Sequence, residues 1–96
     1  MGQTNYQKGY RLELRAAKEL RAHGYYVIRS AGSHGPADVI ALNSSRIIII
    51  QIGTTGSKGP KDEDLLRRVP APSGTLRQIW LWDKNARQWE VETVTE

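Results

Sequence analysis

Two polar residues interrupt an otherwise apolar run, and they are the first in the chain that invite chemistry. Asp38 closes the stretch Gly35-Pro36-Ala37-Asp38, and Gln51 follows the four isoleucines Ile47 to Ile50. The spacing predicts a β-hairpin, with Val39 to Leu42 as one strand, Asn43-Ser44-Ser45-Arg46 as the turn and Ile47 to Ile52 as the return. Pairing about Ser44 and Ser45 sets Leu42 opposite Ile47, Ile40 opposite Ile49 and Asp38 opposite Gln51. An acid and an amide then share one face of a greasy hairpin. A buried carboxylate is costly without donors, a cation or water beside it. The competing reading makes Asp38 a strand-start residue whose carboxylate caps the turn before it.

A third oxygen donor comes from the first helix, which Thr4 or Asn5 can cap and Gly24 can end. At about 100° per residue, Leu20, Glu13, Tyr6, Ala17, Tyr10 and Leu14 fall in one arc. Glu13 therefore points at whatever the helix covers, while Lys8, Arg11, Arg15, Lys18 and Glu19 face away. The alternative has Glu13 at the rim, paired with an arginine such as Arg29. His34 has no companion at metal-ligand spacing, but the small-residue loop holding Ser33 and His34 has groups that suit a phosphate.

The elements that must position these residues follow one another plainly. After the helix, Tyr25 to Ser30 reads as a strand, with Tyr25 and Val27 on one face and Tyr26 and Ile28 on the other. The hairpin comes next, its isoleucine run marking a strand covered on both sides. A loop over Thr54 to Pro60 leads to a short helix opened by Asp62, Glu63 and Asp64 and running through Arg67 and Arg68. Pro70 to Gly74 breaks it. A second hairpin pairs Leu76 to Trp82 with Gln88 to Thr95, and its apolar residues on both faces imply that one face meets the core and the other a helix or a second subunit. The order is helix, three strands, helix, two strands, an α/β arrangement with the first hairpin at its centre.

Ninety-six residues suit a single domain over 1–96 with a modest core, to which packing against a second copy would add. With no cysteine there is neither a disulfide framework nor a thiolate metal site, as in a reducing compartment. Neither a signal peptide nor a membrane span is legible, so an intracellular, cytoplasmic protein is expected. The net charge of +4 is uneven: residues 1–61 hold nine Lys/Arg against three acids, and residues 62–96 five against seven. A basic half carrying the hairpin favours a polyanionic partner.

These residues resemble a known family. Lys8-Gly9, Glu13, Gly24-Tyr25, Val27 to Ser30, Ser33, Gly35 to Ala41 and Ile50 to Gly53 together resemble the archaeal-type Holliday-junction resolvases of the PD-(D/E)XK nuclease superfamily. The resemblance implies a restriction-endonuclease-like core with a central mixed five-stranded sheet flanked by helices. It implies a homodimer that cuts a four-way junction in branched double-stranded DNA with Mg2+, for which Mn2+ can substitute. It sets Glu13, Asp38 and Gln51 as metal ligands and catalytic residues, with Ser30 and Ser33 in the loop near the scissile phosphate. Lys8, Arg11, Arg15, Arg29, Ser30, His34 and Lys61 are the candidate DNA contacts. Gln51 stands where the family has an acid, and Gly53 where it has a catalytic lysine. Lys58 or Lys61 would have to replace that lysine, with Lys58 the expected catalytic one. Otherwise the protein binds junctions without cutting, or cuts slowly. A third reading has Trp80, Trp82 and Trp89 face a protein partner.

Overall fold

The computed structural model describes residues 5–30 and 35–95, with side chains described from residue 9 onward. Helix α1 spans Asn5–Ala22 and is followed by strands β1 (Tyr26–Arg29), β2 (Val39–Leu42) and β3 (Ile47–Thr54). Helix α2 (Pro60–Arg67) then leads to β4 (Leu76–Asp83) and β5 (Gln88–Thr93). The five strands form one sheet in chain order, antiparallel except for the parallel β3–β4 pair that α2 connects. This is the α/β arrangement that the order of elements predicts, with the mixed five-stranded sheet that the resemblance implies.

Strand β3 lies in the middle because its side chains are apolar on both faces. Ile48, Ile50 and Ile52 join Val39, Ala41 and Trp80 under α1, whereas Ile49 joins Ile79, Leu81 and Leu66 of α2. The helices therefore cover opposite faces of the sheet. Glycine ends α1 through its backbone: Gly24 has φ +87°, the Gly24 N–H donates to the Arg21 carbonyl, and the Tyr25 N–H donates to the Leu20 carbonyl. Nothing lies within 4 Å of a Cβ placed there. Gly24→Ala should therefore cost only the left-handed backbone penalty, about 1 kcal/mol, and lower the melting temperature by roughly 4–8 °C. Calorimetry checks this, and a shift near zero would show that the turn opens without loss.

Three expectations need correction. Helix α1 buries Ala16, Ala17 and Leu20, with Leu12 partly covered, while Tyr10 and Leu14 are exposed. The covered arc is thus rotated towards the two alanines, whose small side chains let the helix lie close to the isoleucines. Helix α2 starts earlier than its acids suggest, because Pro60 fits the first turn and the Asp62 carboxylate accepts the Gly59 N–H at 2.9 Å. Strand β4 keeps no apolar face for a second subunit, since Trp80 packs on the α1 side and Ile79 and Leu81 on the α2 side. The large apolar side chains left exposed on strands are Tyr26 and Ile28 of β1 and Val91 of β5.

Candidate metal and phosphate site

The hairpin register is as the turn predicts from Val39↔Ile50 to Leu42↔Ile47. The Asn43 carboxamide fixes the turn by accepting the Ser45 and Arg46 N–H groups. One residue further on, the ladder changes. The Asp38 N–H donates at 2.9 Å to the carbonyl of Ile50, the residue that also faces Val39. Two residues thus oppose one, which makes a β-bulge, and the alternation that would pair Asp38 with Gln51 is broken. The bulge re-aims the carboxylate: Asp38 Oδ2 accepts the Ile52 N–H at 2.8 Å. The turn of the capping alternative includes Ser33 and His34, which lie outside the described residues. On its other side, the Asp38 carbonyl accepts the Ser30 N–H, so β1 holds the bulge in place.

Glu13 reaches the same region from α1. Burial pushes its carboxyl above the ordinary carboxylate range, the negative charge of Asp38 raises it further, and Arg29 pulls the other way. Burial likewise raises Asp38, opposed by the Ile52 hydrogen bond and then by the charge of Lys58. Arg29 Nη1 stands 3.8 Å from Glu13 Oε1, too far for a hydrogen bond, while its guanidinium stacks 4.7 Å from the Tyr10 ring centre. The rim pairing considered for Glu13 therefore exists as a loose contact, and it does not offset the repulsion from Asp38. Gln51 is 6% exposed, and its Oε1 is buried without a hydrogen-bond partner. A buried acceptor left unpaired is costly.

Glu13 and Asp38 are two carboxyls held above their usual range and close enough to feel each other's charge, and Gln51, on the strand beside Asp38, carries an unsatisfied amide oxygen; all three are oxygen donors. That chemistry fits a hard divalent cation such as magnesium, which binds through one or two carboxylates plus water and phosphate oxygens. Among the described residues no three His, Cys, Asp or Glu side chains cluster at metal-binding spacing.

The remaining candidates lie on several elements. Lys58 is half-buried near Asp38, whereas Lys61 is exposed in the first turn of α2. Ser30 ends the β1 ladder, and Arg11 is exposed. Arg15 stacks 4.3 Å from the Trp82 ring centre, in an open groove with Trp80 and Trp89. Ser33 and His34, and the side chain of Lys8, lie outside the described residues. Sequence reasoning missed Arg77, a buried arginine whose guanidinium donates to the Leu66 and Val69 carbonyls at the end of α2. Its position in an apolar alternating strand was the available signal. It also missed Ser57, whose hydroxyl packs against Gly53.

The archaeal Holliday junction resolvase (Hjc) family matches residues 4–61, more than half of the chain and the whole of the site just described. The chain belongs to this family. Among solved structures, the Holliday junction resolvase Hjc of the archaeal hyperthermophile Archaeoglobus fulgidus has the same fold. The TM-score is 0.73 at 23% identity, over 91% of this chain and 73% of that one. A search of curated proteins found no significant match. Membership in the resolvase family makes this a nuclease-family fold, and no described helix is long and apolar enough to cross a membrane.

Proposed function

We propose that this protein is a divalent-metal-dependent endonuclease that binds branched DNA and cuts four-way junctions, as one domain over residues 1–96 acting in a homodimer. The observation that carries the reading is the meeting of Glu13 and Asp38 in one electrostatic field, at a bulge that aims Asp38 out of the hairpin alternation. Glu13, Asp38 and Gln51 would hold Mg2+, or Mn2+ in its place. A bound divalent ion supplies hydroxide near neutral pH and neutralises charge on the phosphate.

The chain's own groups have separable tasks. The Ile52 N–H fixes one oxygen of Asp38, and the other would take the ligand. Arg29, clamped on Tyr10, keeps a buried Nη1 without a hydrogen-bond partner beside Glu13, a donor suited to a phosphate oxygen. In the hydrolysis a water oxygen bonds to phosphorus and the bond from phosphorus to the leaving oxygen breaks, giving a phosphomonoester and a hydroxyl. Arg11, Lys61 and the solvated side of α1 supply the charge that holds the backbone.

The test is a four-way junction incubated with protein and Mg2+, against Ca2+ and chelator controls. Paired cuts that appear only with Mg2+ or Mn2+ are expected, and intact arms at saturating protein would sink the reading. Glu13→Gln removes one charge from the donor set and should raise the Mg2+ concentration for half-maximal cutting by about tenfold or more. Binding measured without metal should stay unchanged. A titration curve that superposes on that of the unaltered protein would remove Glu13 from the site.

The side-chain-free Gly53 favours a second reading, a junction-binding dimer that does not cut. It predicts tight complexes insensitive to chelator and no cleavage with either metal. For the dimer in either reading, the uncovered Tyr26 and Ile28 of β1 offer the surface that β4 does not. Light scattering at micromolar concentration should give twice the monomer mass, and a monomer would contradict this.

A further inference from the structure

Gly53 lies within β3 with no positive φ, in a backbone conformation open to any residue. Strand interiors disfavour glycine, so the reason for it is space. A Cβ placed on Gly53 would stand 2.5 Å from Ser57 Oγ, 2.8 Å from Lys58 Cε and 3.4 Å from Lys58 Cγ. The Lys58 stem is therefore laid across the α-carbon of Gly53, in the volume a side chain there would fill.

The loop is built to keep it there. Before Lys58, the Ser57 hydroxyl donates to the Thr54 carbonyl at 2.7 Å and accepts the Thr54 N–H at 3.1 Å, and the Ser57 N–H donates to the same carbonyl. After it, the Gly59 N–H is held by Asp62, and the Gly59 carbonyl accepts the N–H groups of Asp62 and Glu63. Lys58 is thus pinned between two hydrogen-bonded neighbours. Its positive charge acts on the Asp38 carboxyl.

We infer that Gly53 and Lys58 form one device: the empty position 53 is the channel along which Lys58 carries an ammonium to the reacting phosphate. Lys58 is then the catalytic lysine and Gly53 its positioning residue. The ammonium keeps its proton and donates hydrogen bonds to the attacking water or to a phosphate oxygen, so the hydrolysis stays balanced as written. This rests on the nuclease reading of the site.

A corollary is that a lysine put at position 53 competes with Lys58 instead of adding to it. The experiment compares Gly53→Lys in the natural loop and in a loop trimmed by Ser57→Ala and Lys58→Ala. Thermal unfolding without metal is one readout, and junction cutting in Mg2+ together with junction binding in Ca2+ is the other. Gly53→Lys should lower the melting temperature by roughly 5–15 °C in the natural loop and by less than about 3 °C in the trimmed one. Lys58→Ala should slow cutting by about a hundredfold or more while binding stays within about threefold. Gly53→Lys alone should gain no activity, whereas in the trimmed loop it should recover at least about tenfold.

Equal melting shifts in both loops, or Lys58→Ala cutting at the natural rate, would overturn the inference and leave the nuclease reading standing. Unaltered protein that cuts no junction would instead remove the nuclease reading, and the role of Lys58 with it.

Discussion

Asp38→Asn is expected to abolish junction cutting, by about a thousandfold or more, while junction binding is retained. The amide keeps the oxygen that accepts the Ile52 N–H, so the bulge and the hairpin have no reason to rearrange. What disappears is the charge at the centre of the donor set. Binding rests on lysine and arginine contacts to phosphates, which this substitution does not touch.

The same variant has a stability signature of opposite sign. Burial raises the folded-state value of Asp38 above the ordinary one, outweighing the Ile52 hydrogen bond and the pull of Lys58. An acid raised in this way favours folding while it is protonated. That contribution is present below the unfolded value and is lost as pH rises through the folded one. At neutral pH without metal, the natural carboxylate is therefore a burden that asparagine lifts. Asp38→Asn should melt at the same temperature or up to about 4 °C higher at pH 7, with the gain shrinking as pH falls through the folded value and gone below the unfolded one. Cutting at a tenth of the natural rate would remove Asp38 from the chemistry, and a melting temperature well below natural would show that its charge supports the fold.

Arg77→Ala should be the most damaging change outside the site. Arg77 is 5% exposed, and its Nε and Nη2 donate to the Leu66 and Val69 carbonyls at 3.2 and 2.7 Å. Helix α2 is only eight residues long, with Leu66 its one fully buried side chain, so these bonds tie its end to β4. Truncation strands two carbonyls and removes a packed aliphatic stem, a loss of about 3 kcal/mol. For a chain of this size that corresponds to roughly 12–24 °C in melting temperature. Arg77→Met, which restores the stem without the donors, should fall in between. A loss below about 4 °C would show that α2 is held by Leu66 alone. Since α2 begins directly after the loop that holds Lys58, cutting by Arg77→Ala should fail at temperatures where binding to the junction persists.

The sheet was legible because its signals are local. Four isoleucines demand cover on two faces, a four-residue polar turn sets the register, and Gly24 ends a helix, so the order of elements and the first hairpin follow. The covered side of α1 was less legible. Tyr10 and Leu14 have the hydrophobicity of core residues, yet Ala16 and Ala17 lie deeper because a helix packs closest where its side chains are small. Arg77 read as the polar member of an alternating strand, and no local pattern tells an exposed arginine from one that serves carbonyls eleven and eight residues away in sequence.

For the site, residue types and their order in the chain were enough to single out Glu13, Asp38 and Gln51 and to point to the resolvase family, since oxygen donors on a helix and two strands are visible without coordinates. That Glu13 and Asp38 come within each other's field, and where the Asp38 carboxylate points, was settled only by the folded chain. The bulge depends on which carbonyl of β3 lies nearest the Asp38 N–H, and the path of Lys58 over Gly53 depends on hydrogen bonds at both ends of a loop. A one-residue slip in a ladder and the crossing of a side chain over a backbone arise between segments. Neither leaves a periodic trace within a single one.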